Sequence, residues 1–366
     1  MRNGILVSQD LRDLLATGAI RALYPVRPEQ VQPSSLDLRL GGRIWQLQCS
    51  FLPGAGGIGP KLGRLAIEEM KLNAEHPSVL RQGGVYLAEV EEVLELPADV
   101  WGRANPKSSS GRLDVFVRLL TEEGHAFDTV PAGYQGRLYL EITPQSFHVA
   151  LRRGDTLGQL RLARGRPRLG VDALASQQAE RPVVYWSDGR PAPVSDPETP
   201  GIEMSVDLHE GDAGIVGYAA QRYRPPIDLR HRGLDRARYW TPVQADRSGD
   251  GFVLEPEQFY IFATRERLAI PPELCAELVP FDATKGELRT HYAGFIDSGF
   301  GRDASGHGAK LVLEIRTHDV PFLLEHGQPL FRIELLHNRV VPDVLYGAAG
   351  VNSYQMQGLK LAKQFA

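Results

Sequence analysis

Apolar and polar residues alternate in short runs along most of this chain, and Gly and Pro punctuate the runs. Leu36–Leu40, Val85–Val90, Leu113–Leu120 and Leu138–Ile142 read as strands with one face buried. Helical spacing is clear near the start. There Ser8 offers a cap, Leu11, Leu14 and Leu15 form an apolar stripe, and Gly18 ends the segment. The pattern therefore predicts a chain of many short strands, arranged as a sandwich or barrel, with few short helices.

The run pattern breaks at 166–200, where Pro167, Pro182, Pro191, Pro193, Pro197 and Pro200 fall with little periodicity. This stretch reads as a Pro-rich linker able to pack in part on its neighbours. The halves on either side echo each other in order. Ser35-Leu36-Asp37-Leu38 returns as Ser205-Val206-Asp207-Leu208. Val85-Tyr86-Leu87, leading to Leu96-Pro97, returns as Phe259-Tyr260-Ile261, leading to Ile270-Pro271. Leu138-Tyr139-Leu140-Glu141-Ile142 returns as Leu311-Val312-Leu313-Glu314-Ile315. Three echoes at nearly constant spacing predict an internal duplication.

Composition narrows the class. The chain has 366 residues, enough for two domains, with 42% hydrophobic and 23% charged residues. A net charge of −4 argues against a general surface for a nucleic acid polymer. No run approaches the length of a membrane helix, and the N-terminus lacks a secretory pattern. The two cysteines, Cys49 and Cys275, suggest no disulfide framework, which fits a reducing cytoplasm. They also supply no Cys-x-x-Cys pair of the kind that zinc nucleobase deaminases use, so no zinc site is expected.

Two segments carry candidate chemistry. Pro106-Lys107-Ser108-Ser109-Ser110-Gly111-Arg112 combines small residues, hydroxyls and two cations. It reads either as an anion-binding loop or as a flexible Ser-rich turn. On the 138–142 strand, alternation sends Leu138, Leu140 and Ile142 to the core and Arg137, Tyr139 and Glu141 to the other face. Glu141 is then a solvated carboxylate or a working one. Its recurrence as Glu314 in the same Leu-Glu-Ile frame favours the second.

The Ser loop and the strand glutamate resemble motifs of the trimeric dUTPase and dCTP deaminase superfamily. So do Gly84-Val85-Tyr86-Leu87, Leu96-Pro97-Ala98-Asp99-Val100, Gly133-Tyr134-Gln135-Gly136 and Gly154-Asp155-Thr156-Leu157-Gly158-Gln159. The opening helix and Ser34-Ser35-Leu36-Asp37-Leu38-Arg39-Leu40-Gly41 are similar to the deaminase N-terminus. The whole looks like a long, two-copy deaminase. The resemblance implies a mainly β fold: two tandem copies of a dUTPase-like, jelly-roll-like distorted β-barrel. Copy one would span 1–165, the linker 166–200, and a degenerate copy two 201–366 with a C-terminal tail.

It also implies an activity, the hydrolytic deamination of dCTP to dUTP and ammonia without a metal at the base. Glu141 would be the general base, Ser108 would hold the water and Arg112 would orient both. Lys107, Ser109 and Ser110 would face the phosphates, with Gly133, Tyr134 and Gln159 also in the substrate pocket. Mg2+ would ride on the triphosphate. The oligomer would be three-fold or pseudo-three-fold, with sites between subunits.

The match departs from the family pattern in a telling way. The Ile-Asp-x-Gly-aromatic segment that holds the nucleoside is missing from copy one, which reads Asp128-Thr129-Val130-Pro131-Ala132-Gly133-Tyr134. Copy two has it, as Ala293-Gly294-Phe295-Ile296-Asp297-Ser298-Gly299-Phe300, yet its Ser loop has become Asp282–Glu287. Tyr354-Gln355-Met356-Gln357-Gly358-Leu359 resembles the family's closing segment. Two site arrangements follow. In one, copy one does the catalysis. In the other, a composite site joins Ser108 and Arg112 to Asp297 and Glu314. Rival functions are a dUTP diphosphatase or bifunctional enzyme using Asp297, and a non-catalytic dNTP sensor.

Overall fold

The computed structural model describes residues 3–194, 201–279, 294–302, 308–317, 319–348 and 354–365, with 288–290 as backbone. The expected opening helix is present as α1 (Ser8–Ala16). Its cap differs from expectation. Val7 is the capping position, with its N–H bonded to Asp10 Oδ2 at 3.1 Å, while Ser8 is the first helical residue and its hydroxyl bonds Asp343. Asp10, three residues in, thus supplies the reciprocal half of a capping box, accepting from the cap residue's own N–H.

The chain then builds strands: β1 (Leu36–Leu47), β2 (Ala66–Lys71), β3 (Val85–Glu95), β4 (Val100–Pro106), β5 (Val115–Thr121), β6 (Gln135–Pro144) and β7 (Thr156–Arg164). These form the body of a ten-stranded sheet in the order β5-β6-β3-β1-β7-β4. Helix α2 (Ile58–Leu65) lies between β1 and β2, and the Ser loop winds into a single turn, α3 (Ser108–Gly111).

Leu138, Leu140 and Ile142 on β6 are buried as alternation requires. The opposite face is not open. Phe51, Ile58 and Leu62 cover it, packing with Trp45, Leu47, Leu87, Leu120 and Tyr139 as a second apolar cluster. Glu141 therefore sits inside the protein, 6% exposed.

Two compact units result, and their borders depart from the sequence halves. The first comprises residues up to Pro167 together with Tyr223–Gly233 and Asn338–Asp343. Ile227–Asp228 adds a parallel strand against Val149–Leu151, and Asp228 accepts two bonds from Arg152 at 2.7 and 2.8 Å. The second unit holds Arg168–Arg222, Leu234–His337 and Val344–Ala366.

The stretch read as a linker is, from 168 to 194, part of that second unit. It forms α4 (Val171–Glu180) and β8 (Val184–Tyr185), and it buries Leu169, Leu174, Val183, Val184 and Ala192 in the unit's core. Pro191 pairs with Tyr185 in an antiparallel bridge, and Pro197 and Pro200 lie outside the described residues.

The second unit's other main strands are β9 (Ile202–Ser205), β10 (Ile215–Ala220), β11 (Trp240–Gln244), β12 (Phe259–Leu268), β13 (Leu274–Val279), β14 (Ala309–Thr317) and β15 (Pro329–His337). One sheet runs β11-β10-β12-β14, ending on Leu288–Thr290. Another runs β9-β15-β13, ending on Phe295–Ile296. The internal repeat is visible in the ladders: Glu141 stands opposite Leu87, and Glu314 opposite Ile261. Among the described residues no helix is long and apolar enough to cross a membrane.

Candidate active site

Glu141 reaches its position because β6 is flanked by β3 and β5, which fix its register on both sides. One carboxylate oxygen, Oε1, accepts from Ser50 Oγ at 2.9 Å, and the Phe51 N–H also favours the charged form. The other oxygen, Oε2, is buried with no hydrogen-bond partner among the described residues.

Burial among apolar side chains raises the Glu141 pKa above the ordinary carboxylate value, against the pull of Ser50, Phe51 and Arg118. Arg118, directly opposite on β5, exerts a cationic pull on Glu141. Arg118 in turn pairs with Asp128 and covers the Phe127 ring at 4.7 Å. Asp128 also accepts from the Leu119 N–H at 2.7 Å, and burial raises its pKa too.

The Ser loop is anchored on β7. Lys107 N–H bonds the Leu157 carbonyl at 2.7 Å, and Ser110 Oγ bonds the same carbonyl at 3.0 Å. Ser110 is thus a tether to β7 rather than an outward donor. The Lys107 ammonium, expected to face phosphates, pairs with Asp37 and lies 3.4 Å from Thr156 Oγ1. Gln159, buried on β7, bonds the Pro106 carbonyl at 3.4 Å. Ser108 is half-buried, and Ser109 and Arg112 are buried.

Gly133 occupies a tight turn with φ of +71°. The Tyr134 hydroxyl accepts from the Glu122 N–H at 3.0 Å and donates to the Arg137 carbonyl at 2.6 Å. Burial pushes its pKa up to about 12.

In the second unit the same turn recurs. Tyr134 N–H bonds Pro131 O at 3.2 Å, and Phe300 N–H bonds Asp297 O at 3.1 Å. Pro131 thus occupies, in copy one, the turn position that Asp297 holds in copy two. Asp297 and Glu314 are both buried.

The tail folds onto its own unit. Gln357 exchanges two bonds with Lys310 at 3.1 and 3.2 Å, and Gln355 Nε2 bonds Gly299 O at 3.1 Å. Tyr354 is buried, and its hydroxyl accepts from the Lys363 N–H at 3.2 Å. Asp297, Tyr354 and Gln357 therefore belong to one region. Ala293 and the 282–287 loop lie outside the described residues.

Sequence reasoning missed four groups around Glu141. Strand pairing alone could have found Arg118, which faces Glu141 across β5 and β6. Ser50 and Phe51 arrive from a loop after β1, and Asp128 from the loop before β6, so no local spacing announces them.

Comparison with known proteins gives a consistent pattern. The model of the 2′-deoxycytidine 5′-triphosphate deaminase N-terminal domain matches residues 2–166, and that of the C-terminal domain matches 172–365. A dCTP deaminase, dUMP-forming, of Methanoculleus marisnigri is 34% identical over 158 residues, covering 43% of this chain and 78% of the relative. A dCTP deaminase of Sulfurisphaera tokodaii is 31% identical over 160 residues, covering 44% and 79%. The crystal structure of 2′-deoxycytidine 5′-triphosphate deaminase from Agrobacterium tumefaciens is 39% identical. It covers 95% of this chain and 99% of its own, with a TM-score of 0.87.

Proposed function

This chain belongs to the 2′-deoxycytidine 5′-triphosphate deaminase family, and we propose that it hydrolyses dCTP to dUTP and ammonia with Glu141 as the acid–base group. The observation that carries this reading is the asymmetric environment of the Glu141 carboxylate. Ser50 fixes one oxygen, and the other is left for a reactant. A carboxylate raised by burial accepts and returns protons more readily near neutral pH than an ordinary glutamate does.

In the proposed sequence, Oε2 takes a proton from water as the water oxygen bonds to C4 of cytosine. The proton passes to N3, which receives the electron pair of the C4=N3 bond. A second transfer, from the new C4 hydroxyl through Glu141 to the exocyclic amine, lets ammonia leave as the C4 carbonyl forms. Water is the only co-reactant, and the carboxylate is regenerated. Ser108 is proposed to hold the water and Arg112 to steady the developing charge. As the family resemblance implies, the site is proposed to close across a boundary between subunits of a homo-oligomer.

Mg2+ is proposed as the counterion of the triphosphate, held by phosphate oxygens. Asp37, the carboxylate against the Ser loop, is already neutralised by Lys107.

Relatives named as dUMP-forming raise a second reading, in which the product is also cleaved at its phosphates. Pro131 in place of the aspartate in copy one favours dUTP as the end product. Purified protein given dCTP and Mg2+ is expected to yield equimolar ammonia and dUTP. Pyrophosphate released in step with ammonia would establish the dUMP-forming reading, and no ammonia at all would refute deamination.

A further inference from the structure

The two copies differ sharply at one place on their shared frame, away from both strand glutamates. In copy one, Glu91 lies between two arginines. Its carboxylate is 2.8 Å from Arg153 Nε and 3.6 Å from Arg39 NH2, and its side chain is 5% exposed. Tyr24 covers the Arg153 guanidinium at 4.3 Å. Counting along the repeat places Arg265 at the Glu91 position and His326 at the Arg153 position, while the ladders put Ser205 at the Arg39 position and bring His209 in from four residues further on. The carboxylate at the centre is therefore absent from copy two. In its place is an open cleft of about 290 Å³.

The walls of the cleft suit an anion. Arg265 has no ion-pair partner among the described residues, and its guanidinium lies 5.2 Å from the Trp186 ring centre, which leaves its planar donor edge available. The His209 and His326 rings stack at 3.7 Å with 2° between planes. Two parallel imidazoles this close disfavour double protonation unless a negative charge joins them. Leu208 N–H donates to His326 Nδ1 at 3.2 Å, which assigns the proton of the neutral ring to Nε2. Burial, His209 and Arg265 hold the His326 pKa below its ordinary value.

The acids facing this group are Asp207, Asp188 and Glu210. Asp207 pairs with Lys310 at 2.6 Å, and its other oxygen lies 3.5 Å from His326 Nδ1, while Arg190 pairs with Asp188 at 2.7 Å. Glu210, exposed on the rim, also acts on His326.

We propose that this cleft is a binding site for a compact oxyanion of the sulfate and phosphate class. The anion supplies from outside the negative charge that Glu91 supplies from inside copy one. Arg265 forms the fork, and His326 donates after taking up a proton, so binding strengthens as pH falls.

Titration calorimetry of the full chain with sulfate tests this, because sulfate keeps its charge across the range. From about pH 8 to about pH 6 the sulfate affinity is expected to rise, approaching roughly tenfold per unit as His326 gains its proton. Arg265→Glu, which restores the carboxylate of copy one, is expected to abolish binding. Arg265→Gln, which keeps the reach over Trp186, is expected to weaken it at least tenfold. Ser108→Ala is expected to leave it intact, and deamination by both Arg265 variants reports that they are folded. Sulfate binding that persists in both Arg265 variants, or that does not change with pH, or that is lost in Ser108→Ala, would overturn the proposal.

Discussion

The two copies share a frame down to individual hydrogen bonds, yet they apply it differently. The Tyr86 hydroxyl accepts from the Arg81 N–H at 2.9 Å, and the Tyr260 hydroxyl accepts from the Glu255 N–H at 3.1 Å. Leu96 N–H bonds Tyr134 O, and Ile270 N–H bonds Phe300 O. Even a strained turn is retained. Gly83 has φ of +76°, and Glu257 adopts +57° at the matching place. What changed is electrostatic wiring. Asp37 pairs with Lys107 in the Ser loop, whereas the matching ladder position in copy two is Glu203, and Asp207, four residues beyond it, pairs with Lys310 on the strand of Glu314. In copy one the aspartate braces the loop proposed to serve the substrate. In copy two the aspartate that the sequence echo singles out is committed to a buried pair within the sheet. Duplication preserves the backbone because every element depends on it, while side-chain partnerships are free to drift.

The sharpest way to break the comparison is to neutralise each strand glutamate in turn. Glu141→Gln removes the proposed base and is expected to lower deamination about 10²–10⁴-fold, read as ammonia release from dCTP. Glu314→Gln is expected to leave the rate close to that of the parent protein. Equal losses in the two variants would favour the composite site, and an active Glu141→Gln would remove copy one from the chemistry.

The aspartates come next. Asp207 and Lys310 have side chains 3% and 8% exposed, so Asp207→Asn strands a buried ammonium. Its expected cost is of order 3 kcal/mol, measured by denaturant unfolding. Lys107 is 21% exposed, so Asp37→Asn is expected to cost distinctly less stability. Its main effect is expected on KM, through a loosened Ser loop. A reversed order of stabilities would contradict the assigned wiring.

Much of this was legible before the fold was known. Period-two runs, two of the three echoes and the Ser loop predicted a duplicated β architecture and marked Glu141, because backbone period and repeat spacing are local properties; the Ser35–Leu38 echo is four residues out of register, since the ladders match Leu36–Arg39 with Ile202–Ser205. The borders of the units were not legible. Tyr223–Gly233 joins the first unit through a parallel strand and the Arg152–Asp228 pair, and neither has a sequence signal. The environment of Glu141 was legible only in part. Alternation correctly placed it on the face opposite Leu140. It could not show that Phe51, Ile58 and Leu62 fold over that face, which turns a solvated carboxylate into a buried one.

The smallest expected effect isolates the contribution of Ser50. Its hydroxyl favours the charged form of Glu141, while burial opposes it and prevails, so the folded pKa lies above the model-peptide value of 4.5. Ionising Glu141 therefore works against folding. Its protonated form stabilises the fold at low pH, and that contribution is lost as pH rises through the folded pKa. Activity needs the ionised form, so the acid limb of kcat/KM is expected to lie above 4.5. Ser50→Ala deletes a bond to the carboxylate, which raises the pKa further and moves the limb to higher pH. The rate on the plateau is expected to fall roughly tenfold at most, since one hydrogen bond to a charged group is worth about 1.5–3 kcal/mol and only part of that is specific to the transition state. Ser50→Thr, which keeps the hydroxyl, is expected to return the limb towards its original position. A purely structural role for Ser50 would lower the plateau without moving the limb, because only a group that touches the carboxylate alters its proton affinity directly.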